Sequence, residues 1–197
     1  MEFINNKTIK LDKELNELDK FVVTFTKILD RNSIKYVIIS GYVAILFGRS
    51  RATEDIDIIV SKISKEKFTS LINDLKDKFW CINCANPDEM YDEYLSKNTA
   101  LRFSYIDTII PNVEFKFSRT EVDEYTLANR LSVIIREREL PISPLELQVA
   151  YKLFLGSEKD IEDARFLFKL FSNNIDADIF NKFLNKFNVM DMKKYLQ

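Results

Sequence analysis

Histidine is absent from the 197 residues. That gap removes Ser-His-Asp and Cys-His nucleophile systems, His-ligated zinc hydrolases and zinc deaminases that take a His ligand. Glycine occurs only at positions 41, 48 and 156, so there is neither a G-x-x-x-x-G-K phosphate loop nor a G-x-G-x-x-G dinucleotide turn. The two cysteines, Cys81 and Cys84 in "CINC", lack the further ligands a zinc site needs and read as plain cysteines near a strand in a reducing compartment. No apolar run approaches the ~20 residues of a bilayer span, and the N-terminal stretch has no apolar signal core, so a cytoplasmic protein without a membrane partner is expected. With a formal charge of −2 and a pI near 5.4 there is no overall basic field to draw the chain to nucleic acid. Carboxylates are left to carry the chemistry.

What is present is a foldable chain: 46% hydrophobic, rich in Phe, with only three glycines and four prolines, which excludes disordered and collagen-like architectures. The length suits one domain with a small helical addition. Leu11, Leu15, Leu18, Val22, Phe25 and Leu29 recur at helical spacing and predict a long first helix from about Leu11 to Asn32. "YVIIS" reads as a buried strand, "GYVAILFG" as a helix of about two turns opening at Gly41, "RSRATE" as a polar loop and "DIDIIV" as a second strand. Ser64 can cap a helix to about Phe79, "FWCINCA" follows as a strand, and "NPDEMYDEYLSK" reads as an acidic loop or short helix. "ALRFSYID" and "NVEFKFS" look like an antiparallel pair. Further on, Ser143 as cap, Pro144 at the first helical position and Glu146 in a capping box announce a helix that Gly156 stops and Ser157 follows with another cap. The expected fold class is α/β (α+β): a small mixed sheet with packed helices over residues 1–142, then a helical C-terminal part over 143–197 that closes a cleft.

Within the second strand, residues two apart share a face, so Asp55 and Asp57 stand side by side while Ile56, Ile58 and Val60 face the core. Adjacent carboxylates repel, and the remedies are a raised pKa or a divalent cation between their oxygens. Hard oxygen donors without His or Cys favour magnesium or manganese. Upstream, Ser40 and Gly41 lie where a strand ends and a helix begins, so free N–H groups and the helix dipole would face an anion.

Strand, Ser-Gly, short helix, loop and Asp-x-Asp strand in this order resemble the DNA polymerase β nucleotidyltransferase superfamily. Ser40 stands where its first glycine is usual. More narrowly, "GYVAILFGRSRATEDIDIIV" and the later "YKLFLGSEKDIED" resemble segments of AbiEii-type proteins, a branch containing toxins of toxin–antitoxin pairs, over roughly residues 34–170. The resemblance implies nucleotidyl transfer from a nucleoside triphosphate to an acceptor hydroxyl on an RNA end such as tRNA or on a protein, with a cognate antitoxin or toxin as partner. The alternatives are transfer to a small molecule such as an antibiotic, or an inactive nucleotide- or partner-binding module. It also implies a third carboxylate on a later strand: Glu114, with Asp107 in reserve and an ion pair with Lys116 as the competing role. Arg49, Arg51, Thr53, Lys152 and Asp160 are the further candidate nucleotide-binding residues, Thr53 also as a turn former, and Asp160 and Asp163 also as helix-start acids.

Overall fold

A computed structural model describes residues 1–196. In chain order the elements are β1 (Glu2–Asn5), β2 (Thr8–Leu11), α1 (Glu17–Arg31), β3 (Tyr36–Ile39), α2 (Gly41–Leu46), β4 (Asp55–Val60), α3 (Lys65–Leu75) and β5 (Phe79–Cys81). Then come α4 (Pro87–Glu89), which runs into a π-helical turn (Met90–Leu95), β6 (Leu101–Tyr105), β7 (Asn112–Phe117), α5 (Glu121–Ala128), β8 (Leu131–Ile135) and β9 (Arg138–Ile142). The chain ends in α6 (Leu145–Leu155), α7 (Glu158–Phe171), α8 (Ala177–Lys186) and a 3₁₀ segment (Met190–Leu196).

The strands form one mixed sheet in the order β1-β2-β8-β9-β3-β4-β7-β6-β5. The class is as expected, but nine strands make the sheet larger than anticipated, because β1–β2 and β8–β9 add two hairpins on one side. The first helix also starts later than its hydrophobic spacing suggested. Leu11 belongs to β2, and α1 opens at Glu17 behind a capping box in which Asn16 and Asp19 exchange side-chain and backbone bonds of 2.8 and 3.1 Å. Asp19 is fully buried and also accepts the Tyr42 hydroxyl at 2.8 Å and pairs with Lys13 at 2.8 Å, so the acidic partner of the capping box also ties down α2.

Alternation on β4 sorts its side chains as the pattern requires. Ile56, Ile58 and Val60 enter the main core with Phe21, Phe25 and Phe68 from α1 and α3. On the other face Ile59 meets Val37 and Leu127, which leaves the rest of that face to the carboxylates. β4 pairs in parallel with β7 over six residues, placing Asp55 opposite Asn112 and Asp57 opposite Glu114. In contrast, β3 and β9 share a single pair, Ile38 with Ile142, continued by one bond from Ser143 N–H to Ile38 O at 3.0 Å.

The C-terminal helices share the main core, which runs continuously from Ile9 to Leu196. Gly156 ends α6 at φ +70° and Ser157 caps α7, as the sequence indicated. The start of α6 differs. Pro144 is the cap residue without a side-chain bond, Ser143 donates to Gln148 instead, and Glu146 accepts the Asp176 N–H at 3.0 Å. The anticipated capping partners are drawn into tertiary bonds. Among the described residues no helix is long and apolar enough to cross a membrane.

Candidate active site

A cleft of about 580 Å³ opens over the carboxylate face of the sheet, with Ser40, Asp57 and Lys116 on its floor and Leu147, Tyr151 and Phe187 in its wall. α6 and the residue after α8 therefore supply part of the enclosure. Tyr151 packs edge-on to Phe187 at 5.6 Å between ring centroids.

The turn from β3 into α2 is held in an unusual shape. Ser40 has φ +63° and ψ −137°, a region that glycine enters freely and serine only under strain. What holds it there is Gln148, buried on α6. Its Nε2 donates to the Ser40 carbonyl at 2.7 Å, while its Oε1 accepts the Ser40 N–H at 3.2 Å and the Ser143 hydroxyl at 2.7 Å. One amide thus satisfies both backbone groups of the strained residue. Sequence reasoning missed Gln148, whose only signal was a polar residue in the apolar run of a helix.

Asp55, Asp57 and Glu114 share the cleft-side face, as strand alternation and register require. Burial pushes the Asp57 carboxyl above the usual carboxylate range; Glu114 and Asp55 push the same way, while Lys116 and the Ser40 hydroxyl oppose them. Thr53 donates to the Asp55 carbonyl at 3.0 Å and so fixes the entry into β4. Glu114 is turned toward Arg102 on β6, with which it forms an ion pair, and Lys116 lies 3.9 Å from Asp57. The Asp55–Asp57 pair fits the donor chemistry of a hard divalent cation. With Glu114 held by Arg102, no group of three carboxylate, Cys or His side chains among the described residues is arranged to hold a metal ion. Asp107 is exposed in the turn after β6 at φ +63°, outside the cleft lining.

The remaining candidates gather elsewhere, around Asp163 on α7. This fully buried carboxylate pairs with Arg49, with Arg51 at 3.0 Å and with Lys152 at 3.1 Å; Arg49 also pairs with Glu162, and Lys152 with Asp160. Lys152 is 3% exposed, and none of these residues lines the cleft. The cluster touches the turn at one point. A Cβ on Gly41 would lie 2.0 Å from Arg51 Nη2, so the close approach that Gly41 permits here is that of a guanidinium.

No family model and no curated protein matches the chain. Solved structures do. The chain is similar to an antigenic nucleotidyltransferase-like protein from Paracoccidioides brasiliensis at TM-score 0.54 and 16% identity, covering 90% of each chain. It is similar to the antibiotic-resistance factor ANT(2'')-Ia in solution at TM-score 0.54 and 10% identity, covering 90% of this chain and 97% of the other. Against ANT(2'')-Ia in complex with adenylyl-2''-tobramycin the TM-score is 0.52 with 13% identity, covering 86% and 95%. At these identities the likeness speaks to architecture, and the architecture is a nucleotidyltransferase-like fold.

Proposed function

We propose that the chain is a nucleotidyltransferase that moves a nucleoside monophosphate from a nucleoside triphosphate to an acceptor hydroxyl, with magnesium or manganese as cofactor. The observation that supports this most is the meeting of the strained Ser40, at the turn into α2, with Asp57 on the floor of one cleft, beside Asp55 and Glu114 on the same sheet face. Asp55 and Asp57 would hold the cation, which when bound offsets the charge that develops on the phosphates. The Ser40 hydroxyl and the Gly41 N–H seat the phosphate tail, while Gln148, which occupies the Ser40 N–H and carbonyl, holds the turn in shape. Glu114, once parted from Arg102, accepts the proton of the acceptor hydroxyl. The acceptor oxygen bonds to the α-phosphorus, the bond to the bridging oxygen breaks and pyrophosphate leaves. Arg49, Arg51, Lys152 and Asp160 act in this reading through Asp163, fixing α7 and the loop that leads to β4. Residues 143–196 close the cleft through Tyr151 and Phe187.

The AbiEii-like segments favour an RNA end or a protein as acceptor and a toxin role. A second reading, transfer to a small hydroxylated molecule, is favoured by the cleft, whose about 580 Å³ falls within the ~300–1,000 Å³ usual for small-molecule sites. Two of the similar structures are of an antibiotic-resistance factor, one of them with an adenylylated antibiotic. Incubation with each radiolabelled nucleoside triphosphate, magnesium and total cell extract, followed by ribonuclease or protease digestion, separates the acceptors. Label that resists both and migrates as a small product identifies the second reading. Binding without any transfer, equal in wild type and Asp57→Asn, would leave a binding module and overturn the proposal.

A further inference from the structure

We infer that Lys116, seconded by Arg119, is the cationic seat of the triphosphate tail. The inference rests on reading the cleft as a nucleotide site and names the residues that would neutralise its ligand. A triphosphate brings several negative charges next to Asp55 and Asp57, so cations must reach the same floor. Arg49, Arg51 and Lys152 are not free to do so. Their charges are matched by Glu162, Asp163 and Asp160, they lie outside the cleft lining, and drawing them away would leave Asp163 buried and unpaired. Arg51 has one donor, Nε, without a partner, but that atom is buried too.

Lys116 is placed differently. It follows Glu114 by two on β7 and so shares the carboxylate face, and it lines the cleft. Its side chain is 33% exposed, and its ammonium, 3.9 Å from Asp57, makes no hydrogen bond among the described residues. A flexible stem with its donors uncommitted can turn from the Asp57 carboxylate to a phosphate oxygen. Arg119 lines the same cleft just past β7, with one nitrogen, Nη1, bound to the Asn98 carbonyl at 3.0 Å and the other guanidinium donors open. Ser40, Asp57 and Lys116 line the same cleft, so the turn and the cation share the floor on which a polyanion would meet the carboxylate.

The test is calorimetric titration of each magnesium nucleoside triphosphate, and of tripolyphosphate as the tail alone, into the wild type, Lys116→Met, Lys116→Arg, Arg119→Met and Lys152→Met. Melting and near-ultraviolet dichroism show that each variant is folded. Lys116→Met should weaken triphosphate and tripolyphosphate binding by about tenfold or more, as expected for loss of a charge-assisted contact. Arg119→Met should weaken both less, Lys116→Arg should keep most of the affinity, and folded Lys152→Met should bind as the wild type does. Unchanged affinity in Lys116→Met beside a loss in Lys152→Met would overturn the inference while leaving the nucleotide site intact. Absence of triphosphate binding by the wild type would overturn the underlying reading and the inference with it.

Discussion

Arg49 and Asp57 lie eight positions apart in the sequence, yet they belong to charge clusters of opposite character. Around Asp163, three cations meet three carboxylates and the core of the group is dry: Asp163 is fully buried and Lys152 nearly so. On the sheet face under the cleft, where Asp57 lines the cavity, Asp55, Asp57 and Glu114 face only Arg102 and Lys116, and every member keeps some exposure. The first cluster pairs its three cations with three carboxylates, and so it holds α7 to the loop before β4. The second carries excess negative charge under a cavity, with a carboxyl pushed above its usual range by burial, which is the condition in which a site gains by binding a cation. Residue type does not separate the two; completeness of pairing does.

The contrast can be broken most forcefully at Asp163. Asp163→Ala leaves Arg49, Arg51 and Lys152 without their shared anion, and stability should fall by about 3–5 kcal/mol, as for other broken buried pairs, read by urea denaturation. On the carboxylate face of β4 and β7 the same kind of change should act on rate and leave the fold. Glu114→Gln should lower single-turnover transfer by ~10²–10⁴ if the carboxylate takes the proton, with the denaturation midpoint close to that of the wild type. A larger loss of stability than of rate would move Glu114 into the structural group. Gln148 joins the two regions, since it sits on α6 yet serves the turn. Gln148→Leu strands the Ser40 N–H and carbonyl at a cost of about 1–3 kcal/mol, and the second change Ser40→Gly, which removes the strain that Gln148 holds, should restore nucleotide affinity. Failure of that rescue would show that Gln148 does not act by holding the strain at Ser40.

The smallest effects are in pH, and they have opposite signs. Burial acts to raise the Asp160 carboxyl, but hydrogen bonds from Lys152 and Ser157 and the charges of Lys152 and Arg51 outweigh it and hold the group below its ordinary value. Its contribution to stability is therefore present above the unfolded value of about 3.9 and lost as pH falls through the folded one. Asp57 is raised, so its ionisation costs stability as pH climbs from about 3.9 through the higher folded value. Relative to the wild type, Asp160→Asn should flatten the acid limb of a stability profile. Asp57→Asn should gain on the wild type as pH rises through the carboxylate range, and the same sign for both would erase the distinction.

Much of this was written locally. Period two on "DIDIIV" places both aspartates on one face, Ser64 and Ser157 cap the helices they precede, and Gly156 ends α6 in the left-handed region. The misreadings arise where tertiary partners take over a local signal. Leu11 and Leu15 extend the helical spacing of α1 by coincidence, whereas the Asn16–Asp19 box marks the true start. Ser143 and Glu146 spend their capping groups on Gln148 and Asp176. Lys152, Arg49 and Arg51 are legible as a set that belongs together, but only the fold shows that what they bind is Asp163. Gln148 lies 108 positions from its partner Ser40, beyond the reach of any periodicity.

The sheet also has a mechanical seam. β4 and β7 are joined by six register pairs and β8 and β9 by five, while β3 and β9 meet at one. Tension drawn across the strands concentrates at Ile38 and Ile142, where the bond from Ser143 is the last link before the gap opens. The four strands β1, β2, β8 and β9 would peel away there as a unit, and because Ser143 is tied through Gln148 to Ser40, such a pull would be felt at the strained Ser40 turn before it reached the carboxylates.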